Sequence, residues 1–355
     1  VISARYRRLR QQLIAEPKTW LVTGAAGFIG SNLVEELIAL GQTVVGLDNF
    51  STGYQSNLDE ALAAHSSNAG RFRMIVGDIR DPDVCRAACE GIDYVLHQAA
   101  LGSVPRSIDD PRTSHSVNVD GFLNVLVAAR DAQVRRLVYA SSSAVYGDAR
   151  DLPQVEERTG RVLSPYAATK ATNETYATAF QLSYGLQSIG LRYFNVFGRR
   201  QDPTGAYAAV IPRWIANLLH DEPCQIFGDG ETSRDFCYIA NTVQANLLAA
   251  TGKDEACTGQ VYNVACGEST SLNDLFRMIR DQLATEVPGI AAAEPLYEAF
   301  RSGDIRHSCA AIGKARQLLG YQPSHSIADG LAEALTWYTS HAETNAAHAA
   351  GSHAD

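Results

Sequence analysis

Tyr166 and Lys170 have the types and spacing to do chemistry together. They stand in the stretch Ser164-Pro165-Tyr166-Ala167-Ala168-Thr169-Lys170. The stretch predicts a helix running to about Tyr184, on which residues four apart lie one turn apart on one face. A phenol beside an ammonium ion is expected to ionise below its usual pKa, because a positive neighbour favours phenolate. Such a phenolate can take a proton from a hydroxyl near neutral pH, which is half of an alcohol oxidation. The spacing by itself is common. Its alternative reading is a packed tyrosine with a lysine on a solvated face, so the rest of the chain has to decide.

A hydride acceptor is the missing half, and the sequence before the pair offers a place for one. The apolar strand Trp20-Leu21-Val22-Thr23 runs into Gly24-Ala25-Ala26-Gly27-Phe28-Ile29-Gly30 and a helix from Ser31 to Leu40. A second strand, Thr43 to Leu47, ends in Asp48-Asn49. In this order the glycines carry meaning: Gly24 and Gly27 let the backbone turn tightly against a pyrophosphate, and Gly30 lets helix and strand pack closely. The helix N-terminus offers free N–H groups and a positive dipole end to phosphates. Asp48 stands where a carboxylate accepts bonds from the adenosine ribose. It would repel a 2′-phosphate, so NAD is expected rather than NADP.

Strands and helices then alternate. Arg71 to Val76 is a strand leading to Asp78-Ile79, and Asp78 could reach the adenine edge. A helix from Pro82 to Glu90 and a strand from Asp93 to His97 follow, then Gln98-Ala99-Ala100, which leaves room for a cofactor. His97 is read as a satisfied strand-end residue. A helix over Thr113 to Ala132 carries Asn118, and the strand Arg135 to Ala140 ends in Ser141-Ser142-Ser143. With the helix after Tyr166 and a strand from Gln187 to Arg192, the units imply a Rossmann-like, doubly wound parallel sheet. Its ligands bind at the carboxyl ends of the strands. A smaller C-terminal α/β lobe begins near Asn195, with helices expected over Val210 to Leu219, Asn241 to Ala250, Leu272 to Ala284 and Ile312 to Leu319. The expected division is 1–194 for the dinucleotide domain, with 236–265 returning to it, and 195–341 for the lobe. The Ala- and His-rich stretch 342–355 is expected to be a frayed tail. Residues 3–14 read as an amphipathic packing helix through Tyr6, Leu9 and Leu13.

Composition narrows the classes. A formal charge of −9 over 355 residues argues against a general nucleic-acid binder. The 7 cysteines and 9 histidines show no metal-ligand spacing, and Cys85 and Cys89 read as packing residues. No apolar run approaches the roughly 18 residues of a membrane span. Reduced thiols and the lack of an export signal point to the cytoplasm.

Together, Gly24 to Gly30, Asp48, Ser142, Tyr166/Lys170 and Arg234 make the chain resemble the extended short-chain dehydrogenase/reductase superfamily over roughly residues 18–340. Three further stretches are most similar to bacterial UDP-N-acetylglucosamine, or its uronic acid, 4-epimerases. They are Leu101 to Ser107, Arg200 to Pro203 with Gly205 to Pro212, and Gly228 to Phe236. The resemblance implies that Ser142 hydrogen-bonds the sugar O4, that Tyr166 takes the O4 proton, and that Lys170 binds the nicotinamide ribose. Bound NAD holds the C4 hydride for a time, so there is no net redox change.

It also implies a cofactor shell of Gly24, Gly27, Phe28, Ile29, Gly30, Asp48, Asn49, Asp78, Ile79, Gln98, Ala99, Ala100 and Asn118. The implied UDP-sugar shell is Gly102, Ser103, Ser142, Ser143, Asn195, Ala209, Val210, Phe227, Arg234, Arg301, Asp304 and Ser308. Arg234 and Arg301 are the diphosphate ligands, since guanidinium groups suit phosphate geometry. Two departures matter. Ser143 and Ala144 stand where 4,6-dehydratases carry an acidic pair and decarboxylases a Glu. Small residues at Gly102, Ala209 and Ser308 leave room for a 2-acetamido group, while Arg306 and His307 keep a carboxylated sugar open. A homodimer through the helices holding Asn118 and Tyr166 is implied too.

Overall fold

The computed structural model describes residues 2–204, 208–252, 255–300 and 305–351. Seven parallel strands form the main sheet. In spatial order they are Gln260–Val264, β6 (Ser188–Tyr193), β5 (Arg136–Ser142), β4 (Tyr94–His97), β1 (Thr19–Thr23), β2 (Thr43–Asp48) and β3 (Phe72–Val76). The order reverses beside β1, which opens a crevice at the strand ends. Thr23 is in register with both Leu47 and His97, and Ser142 with Tyr193, so Gly24, Asp48, Gln98 and Ser142 emerge along one edge.

Side chains of β1 alternate between two cores, as a strand's period of two requires. Trp20 and Val22 pack with Leu33, Leu37 and Ile38 of α2 (Phe28–Ala39), while Leu21 packs with Val125, Leu126 and Leu137 on the other face. Helix α1 (Ala4–Ala15) buries Tyr6, Leu9 and Leu13 as expected, and Tyr6 Oη donates to Glu36 on α2 at 3.1 Å. Helices α3 (Gln55–Ala63), α4 (Pro82–Cys89), α5 (Val104–Asp109), α6 (Pro111–His115), α7 (Gly121–Asp131) and α8 (Pro165–Tyr184) follow in order. Cys85 and Cys89 are buried on α4, and burial pushes both thiols up to about 12, which fits a packing role.

Several elements differ from expectation. The single helix predicted over Thr113 to Ala132 is α6 and α7 joined by a wider π-helical turn, Ser116–Asp120, and Asn118 sits in that turn. Such turns interrupt helices mostly at functional sites. The helix predicted over Ile312 to Leu319 is wound as a π turn over Ala315–Leu319, stopped by Gly320 at φ +70°. Helices α3 and α5 were not predicted.

Beyond β6, α9 (Val210–Leu219) comes first, α10 (Ile239–Thr251) packs back against α2 and strands β4, β5 and β6, and α11 (Leu272–Leu283) follows with short two-stranded pairings, among them Gln225–Phe227 with Leu296–Glu298. A further unpredicted helix, α12, runs from Ile327 to Gly351 and buries Leu331, Ala334, Leu335 and Tyr338. Its backbone stays helical well into the stretch expected to fray, in keeping with the high helix propensity of alanine. None of the described helices is long and apolar enough to cross a membrane.

The loop after β6 is held by charge. Arg200 is 3% exposed and pairs with Glu35 of α2 and, at 3.2 Å, with Glu60 of α3. Arg199 adds a bond to Glu35 at 2.9 Å. Removing one partner of a buried pair strands the other charge. Glu35→Ala should therefore cost about 3 kcal/mol of stability, read as a lower urea midpoint at unchanged m. A cost under about 1 kcal/mol would show that Glu60 alone suffices.

Candidate active site

The glycine turn is built as its spacing requires. Gly24 has φ +67°, its N–H reaches Leu47 O at 2.8 Å, and Gly27 N–H returns to Gly24 O at 3.1 Å. A Cβ on Gly30 would lie 1.9 Å from Gly24 O, so only glycine lets α2 pack this close. Asp48 fixes the turn from the neighbouring strand: one carboxylate oxygen accepts Ala26 N–H at 2.9 Å, the other Phe50 N–H at 2.8 Å. Asp78 accepts the Asn49 amide at 2.8 Å and a fork from Arg80, whose hydrogen bonds hold its carboxyl down at about 2.

These groups line a cavity of about 340 Å³. Gly24, Gly27, Phe28, Ile29, Gly30, Asp48, Asn49, Asp78, Ile79, Gln98, Ala99 and Ala100 all contribute to its wall. Ser51, Thr52, Leu101 and Val117 contribute as well, and sequence reasoning passed over them. The cradle without side chains, the helix N-terminus above it and the carboxylate at the strand end fit a dinucleotide. Gly102, expected on the sugar side, lines this same cavity.

Gln98 is oriented by a closed ring of side chains that the sequence did not reveal. Tyr193 Oη donates to Gln98 Oε1 at 3.0 Å, Gln98 Nε2 to Asn246 Oδ1 at 3.2 Å, and Asn246 Nδ2 to Tyr193 Oη at 2.8 Å. His97 is buried against Thr23 Oγ1 at 2.8 Å. Burial first, then Lys170, pushes it down to about 3, so it stays neutral, in line with a structural role.

Asn118 braces the cavity rather than lining it. Its amide accepts Leu101 N–H at 2.8 Å and donates to Leu101 O at 3.1 Å and Thr169 Oγ1 at 3.2 Å, tying the cavity rim to α8. On α8, Ser164 caps Ala167 N–H at 3.1 Å and Pro165 opens the first turn. Lys170 Nζ is buried and donates to Ala140 O of β5 at 2.8 Å. Its nitrogen is 5.9 Å from the centre of the Tyr166 ring.

The expected ionisation of Tyr166 needs correcting. Burial pushes the phenol above its ordinary value, and a hydrogen bond with Ser142 only partly opposes this. Lys170 spends its charge on the Ala140 carbonyl, and burial lowers the lysine itself to about 8. Without cofactor and substrate, desolvation outweighs the neighbouring ammonium.

The sugar-side residues divide. Asn195, Val210, Phe227 and Arg234 line a second cavity of about 250 Å³, together with Arg213, Trp214, Gln225 and Thr232. Arg213 was missed, since no motif marks a lone arginine in the helix after a loop. Asp235 does not neutralise Arg234: it is fully buried and accepts the N–H groups of Cys266, Gly267 and Ala310 at 2.9, 3.0 and 3.1 Å. Ser103, Ser143, Ala209 and Ser308 line neither cavity. Ser103 caps α5, Ala209 precedes α9, Ser143 opens a short turn to Tyr146, and Ser308 N–H donates to Ser233 O at 3.1 Å. Arg301 and Asp304 lie outside the described residues.

The buried lysine has a measurable cost. Its pKa is lowered on folding, so it contributes stability only above the unfolded value and loses it as pH falls through about 8. In cofactor-free protein at pH 7, Lys170→Met should raise stability by roughly 2–3 kcal/mol. The gain should fade as pH rises toward about 10.5. A gain independent of pH would contradict this.

Known proteins share this architecture. The model of the NAD dependent epimerase/dehydratase family matches residues 20–265. A UDP-glucose 4-epimerase of Mycolicibacterium smegmatis is 38% identical over 90% of this chain and 97% of its own length. UDP-glucuronate 4-epimerase 4 of Arabidopsis thaliana is 33% identical over 91% of this chain and 76% of its own. The solved UDP-N-acetylglucosamine 4-epimerase from Methanobrevibacter ruminantium M1, in complex with UDP-N-acetylmuramic acid, is 38% identical with a TM-score of 0.84. That likeness covers 92% of this chain and 99% of the other. The chain belongs to the NAD dependent epimerase/dehydratase family, within the extended short-chain dehydrogenase/reductase superfamily.

Proposed function

We propose that this protein is a UDP-N-acetylglucosamine 4-epimerase, interconverting UDP-GlcNAc and UDP-GalNAc. The observation that carries the reaction class is Ser142 at the end of β5, packed against the helix that carries Tyr166, with no carboxyl group at Ser143 or Ala144. Elimination of water would need an acid and a base there; moving one proton at O4 does not. Ser142 and Tyr166 hold the O4 hydroxyl between them, and Tyr166, once it has lost its own proton to solvent, takes the O4 proton as C4 becomes a ketone. When bound, NAD supplies the reversible hydride acceptor. After the 4-keto sugar presents its other face, the Tyr166 phenol returns the proton to O4. Lys170, fixed to Ala140 O, would supply a stationary cation for the nicotinamide ribose of bound NAD.

UDP is assigned to the cavity of Phe227, Arg213 and Arg234, two cations in a chain whose net charge is −9. For the sugar, the support is volume. A Cβ on Gly102, in the wall of the first cavity, would meet no atom within 4 Å. The uronate alternative draws less support, because Arg306 is paired with Asp229 and His307 Nδ1 is within 2.9 Å of Ser233 Oγ. A homodimer through α8 fits its outer face, where Leu182 is 82% and Tyr184 57% exposed.

Purified protein given UDP-GlcNAc without added dinucleotide should form UDP-GalNAc. Net NADH, a decarboxylated sugar, or turnover of UDP-glucose alone would contradict the proposal. Tyr166→Phe should retain bound NAD and lose at least about 10²-fold in kcat; parental turnover would remove Tyr166 from its role.

A further inference from the structure

We propose that Glu174 is a positioning residue for the reaction, acting through Ser141 to fix where α8 sits against the end of β5. Two consecutive residues of β5 bind α8, and Ser142 follows them at the strand end. Ala140 O accepts Lys170 Nζ at 2.8 Å, and Ser141 Oγ donates to Glu174 Oε1 at 2.6 Å. Residues 166, 170 and 174 are spaced one turn apart on one helix face.

Glu174 is itself anchored. Arg192 of β6 donates to both of its oxygens, Nε to Oε1 at 2.9 Å and Nη2 to Oε2 at 2.8 Å. The guanidinium also donates to Glu156 O at 3.0 Å and lies 4.8 Å from the Tyr146 ring centre, so it cannot swing away freely. The fork between Arg192 and Glu174 would join α8 to the sheet without any help from Ser141. The bond from Ser141 adds a short, charge-assisted contact to the residue next to Ser142. The fork ties α8 to β6, whereas the Ser141 bond ties it to β5 itself, one residue from Ser142. That contact sets the separation of the Ser142 hydroxyl and the Tyr166 phenol. Displacements of about 1 Å between reacting groups can cost 10²-fold in rate.

This inference rests on Tyr166 being the base. Ser141→Ala removes one hydroxyl and keeps the ion pair. It should lower kcat about tenfold, with the melting temperature, bound NAD and the KM for the UDP-sugar unchanged. Glu174→Gln should lower kcat at least as much and also lower the melting temperature, because Arg192 loses its partner. A kcat for Ser141→Ala within about twofold of the parent would overturn the proposal, as would a loss lying wholly in KM or tracking a fall in melting temperature. Parental turnover in Tyr166→Phe would instead overturn the assignment of the base, so the two failures are distinguishable.

Discussion

A buried ammonium must find a partner, and at the junction of β5 and α8 that partner is the Ala140 carbonyl at 2.8 Å from Lys170 Nζ. The Ala140 carbonyl lies within a strand buried between neighbours on both sides, so it is among the least movable acceptors in the chain. Docking Lys170 there sets the height of α8 above the sheet. It places Tyr166, one helical turn before Lys170, near Ser142 at the end of β5. Desolvation is the cost of the arrangement. It lowers the lysine, raises the phenol, and leaves the pair at rest neutral at the phenol and charged at the lysine below about pH 8.

The same sheet edge explains the division between cofactor and substrate. Gly24, Asp48 and Gln98 leave three adjacent strands at matching heights, and each is fixed by a partner from another element: Leu47 O, Ala26 N–H and the Tyr193–Asn246 pair. Arg213 of α9 and Arg234, 21 residues further on, line one cavity. Asp235, beside Arg234, gives its carboxylate to three backbone N–H groups, and burial raises it to about 6.

The sequence made local features legible. Glycine spacing, the strand-end Asp48 and Tyr166-x-x-x-Lys170 all act within a few turns or one strand–turn–helix unit, so their geometry follows from spacing. Phe227 and Arg234 were recognised through resemblance, and the fold places them together with Asn195 and Val210. Long-range features were not legible: the Gln98–Tyr193–Asn246 ring joins residues about 50 to 150 apart in sequence, and no periodicity marks such a ring. The π turn at Asn118 leaves the apolar pattern of a plain helix intact, so only the backbone reveals it. The ionisation of Tyr166 was misread because spacing reports a neighbouring charge and says nothing of burial.

The central claim is that C4 alone is oxidised and reduced, with the hydrogen held inside the site while Tyr166 manages the proton. UDP-GlcNAc carrying deuterium at C4 tests it most directly, by mass spectrometry and NMR of the product formed in ordinary water. The account predicts UDP-GalNAc with the deuterium retained at C4. Epimerised product with solvent hydrogen at C4 would contradict it.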